Sequence, residues 1–262
     1  MHLSPADLRS ARQDGLSIRF GILGPIAYAL AEVLTDGSAG TILERPCSRP
    51  HWGFVLTGDV TLHQGGHMVP LPVGHAFHVR AGPEHHFEAS PGAVVSGFEA
   101  VRPDLDASEA ALAARGFEIV PTVEAGTRIV PTTSSQPVDP GRIDADPHLM
   151  SNLVLTRVRM GTSSGFTAQW CDAEHWGMVA AGRVVIDWED DIEVLGTGDI
   201  YYCQPGPPGH RITAADPATI VDLTPMASLQ SVTRLADWRR PMLDLTQRSD
   251  AGSGPVAVAA LI

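Results

Sequence analysis

CSRPHWGFVLTGDVTL (residues 47–62) and CDAEHWGMVAAGRVVI (171–186) lie one over the other without a gap, at a constant offset of 124 residues. Carried on to residues 86 and 210, the same offset pairs Leu71 with Leu195, Gly74 with Gly198, Gly82-Pro83 with Gly206-Pro207 and His86 with His210. Twelve of these forty positions are identical, where ordinary residue frequencies would give roughly two or three. The chain carries an internal duplication. Most of the shared residues have a structural reason: glycine and proline make turns, and valine and leucine fill strand interiors. Cys47 with Cys171, His51 with His175 and His86 with His210 have no such reason, so they are the candidates for chemistry.

Around the repeat, short apolar runs alternate with turn signals. TLHQGGHMVPL, AFHVRAG, HHFEAS and VVSGFEAV form such a series in the first copy, and WEDDIEVL, IYYCQ, HRIT and ATIVDLTP in the second. With 26 glycines and 21 prolines spread along 262 residues, well above the usual ~12% for the pair, the pattern predicts an all-β fold of repeated antiparallel strands. Asp106 to Arg115 reads as a short helix, with Asp106 as N-cap, Glu109 three residues on and Gly116 as the stop. Residues 105–147 form a helix and a Pro/Thr/Ser-rich connection, which divides the chain into a first domain at 1–104 and a second at 148–262. The spacing of Leu229, Val232 and Leu235 predicts a C-terminal helix, and the last dozen residues read as loosely held.

Composition narrows the function. A formal charge of −12 and a pI near 5.2 argue against phosphate backbones and anionic lipid as partners. Three well-separated cysteines are no disulfide framework and place the protein in the cytoplasm. The apolar run Ile22 to Leu34 is broken by Pro25 and Glu32 and is shorter than the ~20 residues a membrane span requires.

The two segments resemble the cupin superfamily, and PHWGFVLTG and EHWGMVAAG resemble in particular small "HWG" cupins. The resemblance covers roughly residues 20–100 and 145–225, and it implies two tandem cupin barrels (double-stranded β-helix, jelly-roll-like) with a few short helices, a bicupin. Cupins carry a first segment with metal-binding histidines and a glutamate ahead of the glycine that follows a "VLxG" strand, here Gly58 and Gly182, and a second of the form G-x5-P-x-G-x2-H. This chain departs from that set: His51 and His175 hold the glutamate position, Cys47 and Cys171 stand near a histidine position, and Arg45 and Gln169 replace the remaining histidine. Family spacing selects His85 in the first copy, whereas the internal repeat selects His86; only one of two strand neighbours faces inward, and His86 is favoured because His210 is the only histidine its partner copy offers there.

Cys47 and His51, like Cys171 and His175, are four residues apart, and in an extended strand an even separation places both on one face. The expected metal ligands are therefore Cys47, His51 and His86 in one barrel and Cys171, His175 and His210 in the other. A lone buried cysteine is ordinarily a small hydrophobe, but packing alone rarely demands both residue types twice. Sulfur with nitrogen suits zinc or iron(II), and three protein ligands leave a position open for water or substrate. Gln169 is a candidate fourth ligand, and the second copy is the preferred site because Arg45 adds positive charge to the first. His63 and His67 flank a Gly-Gly turn and read as solvated, Trp52 and Trp176 should face away from the ligands, and Cys203, matched by Val79, reads as a buried strand residue. The implied activity is that of a metal-dependent enzyme on a small molecule, of dioxygenase, isomerase or lyase type. The alternatives are a non-catalytic small-molecule or metal sensor, and a scaffold with structural clusters. A monomer or a homodimer fits a bicupin.

Overall fold

A computed structural model describes residues 2–4, 6–13, 15–34, 40–41, 50–79, 82, 84–100, 127–131, 137–150, 153–164 and 170–231. Two compact units emerge, and neither is a continuous half of the chain. One gathers Pro5–Pro103 with Pro121–Thr133, and the other gathers Met1–Ser4 and Asp104–Val120 with Ser134–Ile262. Within the Pro/Thr/Ser-rich stretch, strand Thr127–Pro131 hydrogen-bonds to His75–Val79 of the first unit. Strand His2–Leu3 pairs with Ile200–Cys203 of the second. The candidate helix at 106–115 lies outside the described residues, as do 232–262.

Both units are two-sheet, all-antiparallel barrels. The strands that matter here are β6 (His51–Thr57), β7 (Val60–Gln64), β9 (His75–Val79), β10 (His85–Ala89) and β11 (Val94–Ala100) in the first unit. Their counterparts in the second are β15 (His175–Ala181), β16 (Arg183–Trp188), β18 (Ile200–Cys203), β19 (His210–Ala214) and β20 (Ala218–Pro225). In each unit the HWG strand is central, with β9 and β11 on either side of β6, and β18 and β20 on either side of β15. The second sheet of each barrel brings β10 beside β7, and β19 beside β16.

Alternation along these strands builds the interiors. Val55, Leu62, Leu71, Val79 and Phe87 fill the first barrel, and Val179, Val184, Ile186, Leu195, Ile212 and Ile220 fill the second, all buried. Each such side chain contributes about 1.5–3 kcal/mol on removal from water, so no staple is needed to hold the sheets together. The apolar run at Ile22 to Leu34 is a hairpin arm: Leu23 pairs with Ile26 across a Gly24-Pro25 turn. No helix among the described residues is long and apolar enough to cross a membrane. Helix α1, Met226–Ser231, directly follows β20 and buries Met226 and Leu229 against the second core.

The duplicated glycines have distinct duties. Gly58 and Gly182 end the HWG strands at φ of 77° and 76°, a left-handed backbone open to glycine at no steric cost. Gly53 and Gly177 are extended instead, and they clear space. A Cβ on Gly177 would stand 2.3 Å from the Val221 carbonyl oxygen and 2.5 Å from the Tyr201 hydroxyl, and one on Gly53 would stand 2.3 Å from the Ser96 carbonyl oxygen and 2.5 Å from the Phe77 ring.

Candidate metal centre

In the second barrel, His175 opens β15 directly opposite Cys203, the last residue of β18, while His210 opens β19 opposite Trp188. Directly opposed residues of an antiparallel pair point to the same face, here the barrel interior. The donor atoms of His175, Cys203 and His210 lie within 4.8 Å of one another, and all three residues are buried. Nε2 of His175 and Nε2 of His210 are 2.6 Å apart. A shared proton or a cation relieves the repulsion of two imidazole lone pairs at that separation, and two nitrogens with one sulfur are a donor set that suits a transition-metal ion.

Behind His175 stands Asp222, fully buried on β20, with Oδ2 at 2.6 Å from Nδ1 of His175. The Tyr201 hydroxyl donates to the same oxygen at 2.8 Å, and the Thr224 hydroxyl donates to Oδ1 at 2.9 Å. A buried carboxylate is costly unless hydrogen-bonded on its oxygens, and these three donors meet that demand. Trp188 flanks His210 with ring centroids 5.4 Å apart, held by a hydrogen bond from its indole N–H to Glu193.

Trp176 faces the other way, opposite Tyr202 on the outer side of β15. There the Tyr202 hydroxyl donates to Glu174 at 2.8 Å. Burial first, then the Glu174 carboxylate, hold that phenol well above its ordinary pKa.

Cys171 is buried, but it is not one of the three residues whose donor atoms converge. The even-spacing expectation fails because β15 begins at His175 and residues 172–174 are not strand. Instead, the backbone of Cys171 pins His210, with N–H to carbonyl distances of 2.8 and 3.0 Å in the two directions. Cys203 supplies the thiol. Its signal in the sequence was alternation: Tyr201 and Cys203 share one face of β18, and the absence of a cysteine at Val79 obscured it. Asp222 announces itself only as a lone carboxylate in the apolar run ATIVDLTP.

In the first barrel, His51 lies opposite Val79, and His85, not His86, turns inward. The His51 and His85 rings meet edge to face at 5.1 Å. His86 is half-buried and stacks on His63, with centroids 4.6 Å apart and His63 bonded to Glu88. The gapless repeat slips here because seven steps separate Cys203 from His210 and only six separate Val79 from His85. Strand register then matches His85, opposite Gln64, with His210, opposite Trp188. Cys47, Arg45 and Gln169 lie outside the described residues.

No family model matches the chain, and no curated protein matches it. Solved structures do. AerE from Microcystis aeruginosa is similar at a TM-score of 0.61 and 12% identity, over 83% of this chain and 96% of that one. Oxalate decarboxylase from Bacillus subtilis, in a structure concerned with its Mn(II) centres, is similar at 0.61 and 12%, over 97% and 86%. YlbA from E. coli is similar at 0.60 and 10%, over 86% and 89%. At these identities the likeness is one of fold.

Proposed function

We propose that this chain, a tandem cupin by its fold, holds a divalent metal ion in its C-terminal barrel through His175, Cys203 and His210, and acts there on a small molecule. The observation that carries the reading is the convergence of two imidazoles and one thiol in a buried barrel interior, with a carboxylate behind one imidazole. One sulfur and two nitrogens favour zinc or iron(II) over ions that require oxygen. The Mn(II) centres of the structurally similar oxalate decarboxylase are a precedent for a divalent ion in this architecture, and the thiol is the reason to expect a softer metal here.

Three protein ligands leave a coordination position for water or a substrate oxygen. Bound there, the ion supplies Lewis-acid polarisation or activation of water or dioxygen, chemistry that serves a dioxygenase, an isomerase or a lyase. The chain's own residues hold and orient: Cys203 and His210 converge on His175, and Trp188 packs beside His210. The acidic surface and the cysteine usage support a cytoplasmic setting and a small-molecule partner.

Metal analysis of protein purified without a histidine tag tests the reading. We expect close to one equivalent of zinc or iron per chain in the wild type and in His51→Ala, and less than a tenth of that in His175→Ala and Cys203→Ser. Wild-type protein without metal after reconstitution with zinc or iron(II) would contradict it. Stoichiometric metal in a protein inert towards candidate small-molecule substrates would instead favour a sensor.

A further inference from the structure

Asp222 occupies a costly place: a fully buried carboxylate in the strand Ala218–Pro225, among Ile220, Val221 and Leu223. Packing does not call for it. Three side chains donate to it: Nδ1–H of His175 and the hydroxyls of Tyr201 and Thr224. A carboxylate facing Nδ1 at 2.6 Å keeps the ring proton on that nitrogen, and a neutral imidazole protonated at Nδ1 carries its lone pair on Nε2. Nε2 is the atom that meets His210, in the group of donor atoms that Cys203 completes. Hydroxyls on both oxygens in turn hold the carboxylate in one rotamer.

The duplication supplies an independent observation. Strand register places Gly97 where Asp222 stands, since Gly53 pairs with Gly97 as Gly177 pairs with Asp222. It places Phe77 where Tyr201 stands, opposite the same glycine of the HWG strand. At these matched positions the barrel that has Val79 for the thiol thus also has glycine for the carboxylate and phenylalanine for the phenol, and it keeps the ring that packs over the glycine. Thiol, carboxylate and hydroxyl occur together in one copy and are replaced together in the other, as expected if they serve one centre.

We infer that Asp222 is a positioning residue that locks His175 in its Nδ1–H tautomer, with Nε2 aimed at the ion, and that Tyr201 and Thr224 hold Asp222 in place. The inference rests on the metal reading above for the ion, but the tautomer and the clamp belong to the protein alone. Residues that orient a metal-binding histidine in this way are typically worth 10–100-fold in metal affinity.

Two readouts test it. Nitrogen-15 NMR of the imidazoles in protein stripped with chelator should show His175 protonated at Nδ1 in the wild type and shifted towards the other tautomer in Asp222→Asn. Competition with a chromogenic chelator should show zinc bound 10–100-fold more weakly by Asp222→Asn and several-fold more weakly by Tyr201→Phe. The Tyr201→Phe variant is expected to fold, since Phe77 fills the same place in the other barrel, and it carries the test if Asp222→Asn does not fold. A merely structural carboxylate would lower the melting temperature of Asp222→Asn while leaving the tautomer and the affinity of the folded fraction unchanged, and that result would overturn the inference. Wild-type protein that binds no zinc would overturn the metal reading instead, and the tautomer measurement would still decide the role of Asp222.

Discussion

The two barrels share a strand plan and differ in what they hold inside it. At matching register positions the second has His175, Cys203, His210, Tyr201 and Asp222, and the first has His51, Val79, His85, Phe77 and Gly97. The histidines and the space-clearing glycine are common to both copies, so neither is enough to define a centre. Among the described residues, the second barrel is distinguished by a soft donor and a hydrogen-bonded carboxylate behind one imidazole. A duplicated β-barrel can therefore keep its core and turns while its interior chemistry diverges at a few strand positions, among them Val79/Cys203, Phe77/Tyr201 and Gly97/Asp222.

The most drastic way to challenge this contrast is to erase it. Val79→Cys with Gly97→Asp writes the second barrel's thiol and carboxylate into the first, and a Cβ on Gly97 meets nothing closer than 3.9 Å. We expect the double variant to take up a second equivalent of zinc or cobalt(II) in equilibrium dialysis, approaching two per chain. An unchanged stoichiometry would mean that more than these two positions separates the barrels.

A smaller effect separates the two glycines. Gly53→Ala and Gly177→Ala each force a methyl against a backbone carbonyl and an aromatic side chain, and overpacking of this kind costs about 1–3 kcal/mol. Both should lower the midpoint of denaturant unfolding. Only Gly177→Ala should also weaken zinc binding, because it displaces the tyrosine that hydrogen-bonds Asp222.

Smaller still is the contrast between two neighbouring histidines. His85→Ala removes a buried ring packed against His51 and Phe87 and should cost about 1–3 kcal/mol in unfolding free energy. His86→Ala removes one half of an outer stack and should cost less than about 0.5 kcal/mol. Equal losses would place both rings in comparable surroundings.

Much of this was readable in the residues, and the failures have physical causes. The repeat at 47–62 and 171–186 pointed to two all-β barrels because turn glycines and strand valines recur at one spacing. That His175 and His210 meet was legible for the same reason. Cys171 falls outside the convergent group because period-two reasoning holds only within one strand, and the strand starts four residues later. His86 displaced His85 because a one-residue difference between the 80–84 and 204–209 connections reverses the facing of everything after it. Cys203 and Asp222 lie where the copies differ, and an argument built on what the copies share passes over such residues. Thr127–Pro131 sits in a stretch whose composition reads as a connection, and its role as an edge strand depends on pairing with β9, which local sequence does not encode.

X-ray absorption at the zinc edge of reconstituted wild-type protein addresses the central claim most directly. The account predicts one sulfur at about 2.3 Å with two imidazole nitrogens at about 2.0–2.1 Å, a sulfur shell kept in Cys171→Ser and lost together with nearly all of the zinc in Cys203→Ser. A spectrum with no sulfur scatterer, or one whose sulfur vanishes with Cys171 and survives the loss of Cys203, would contradict it.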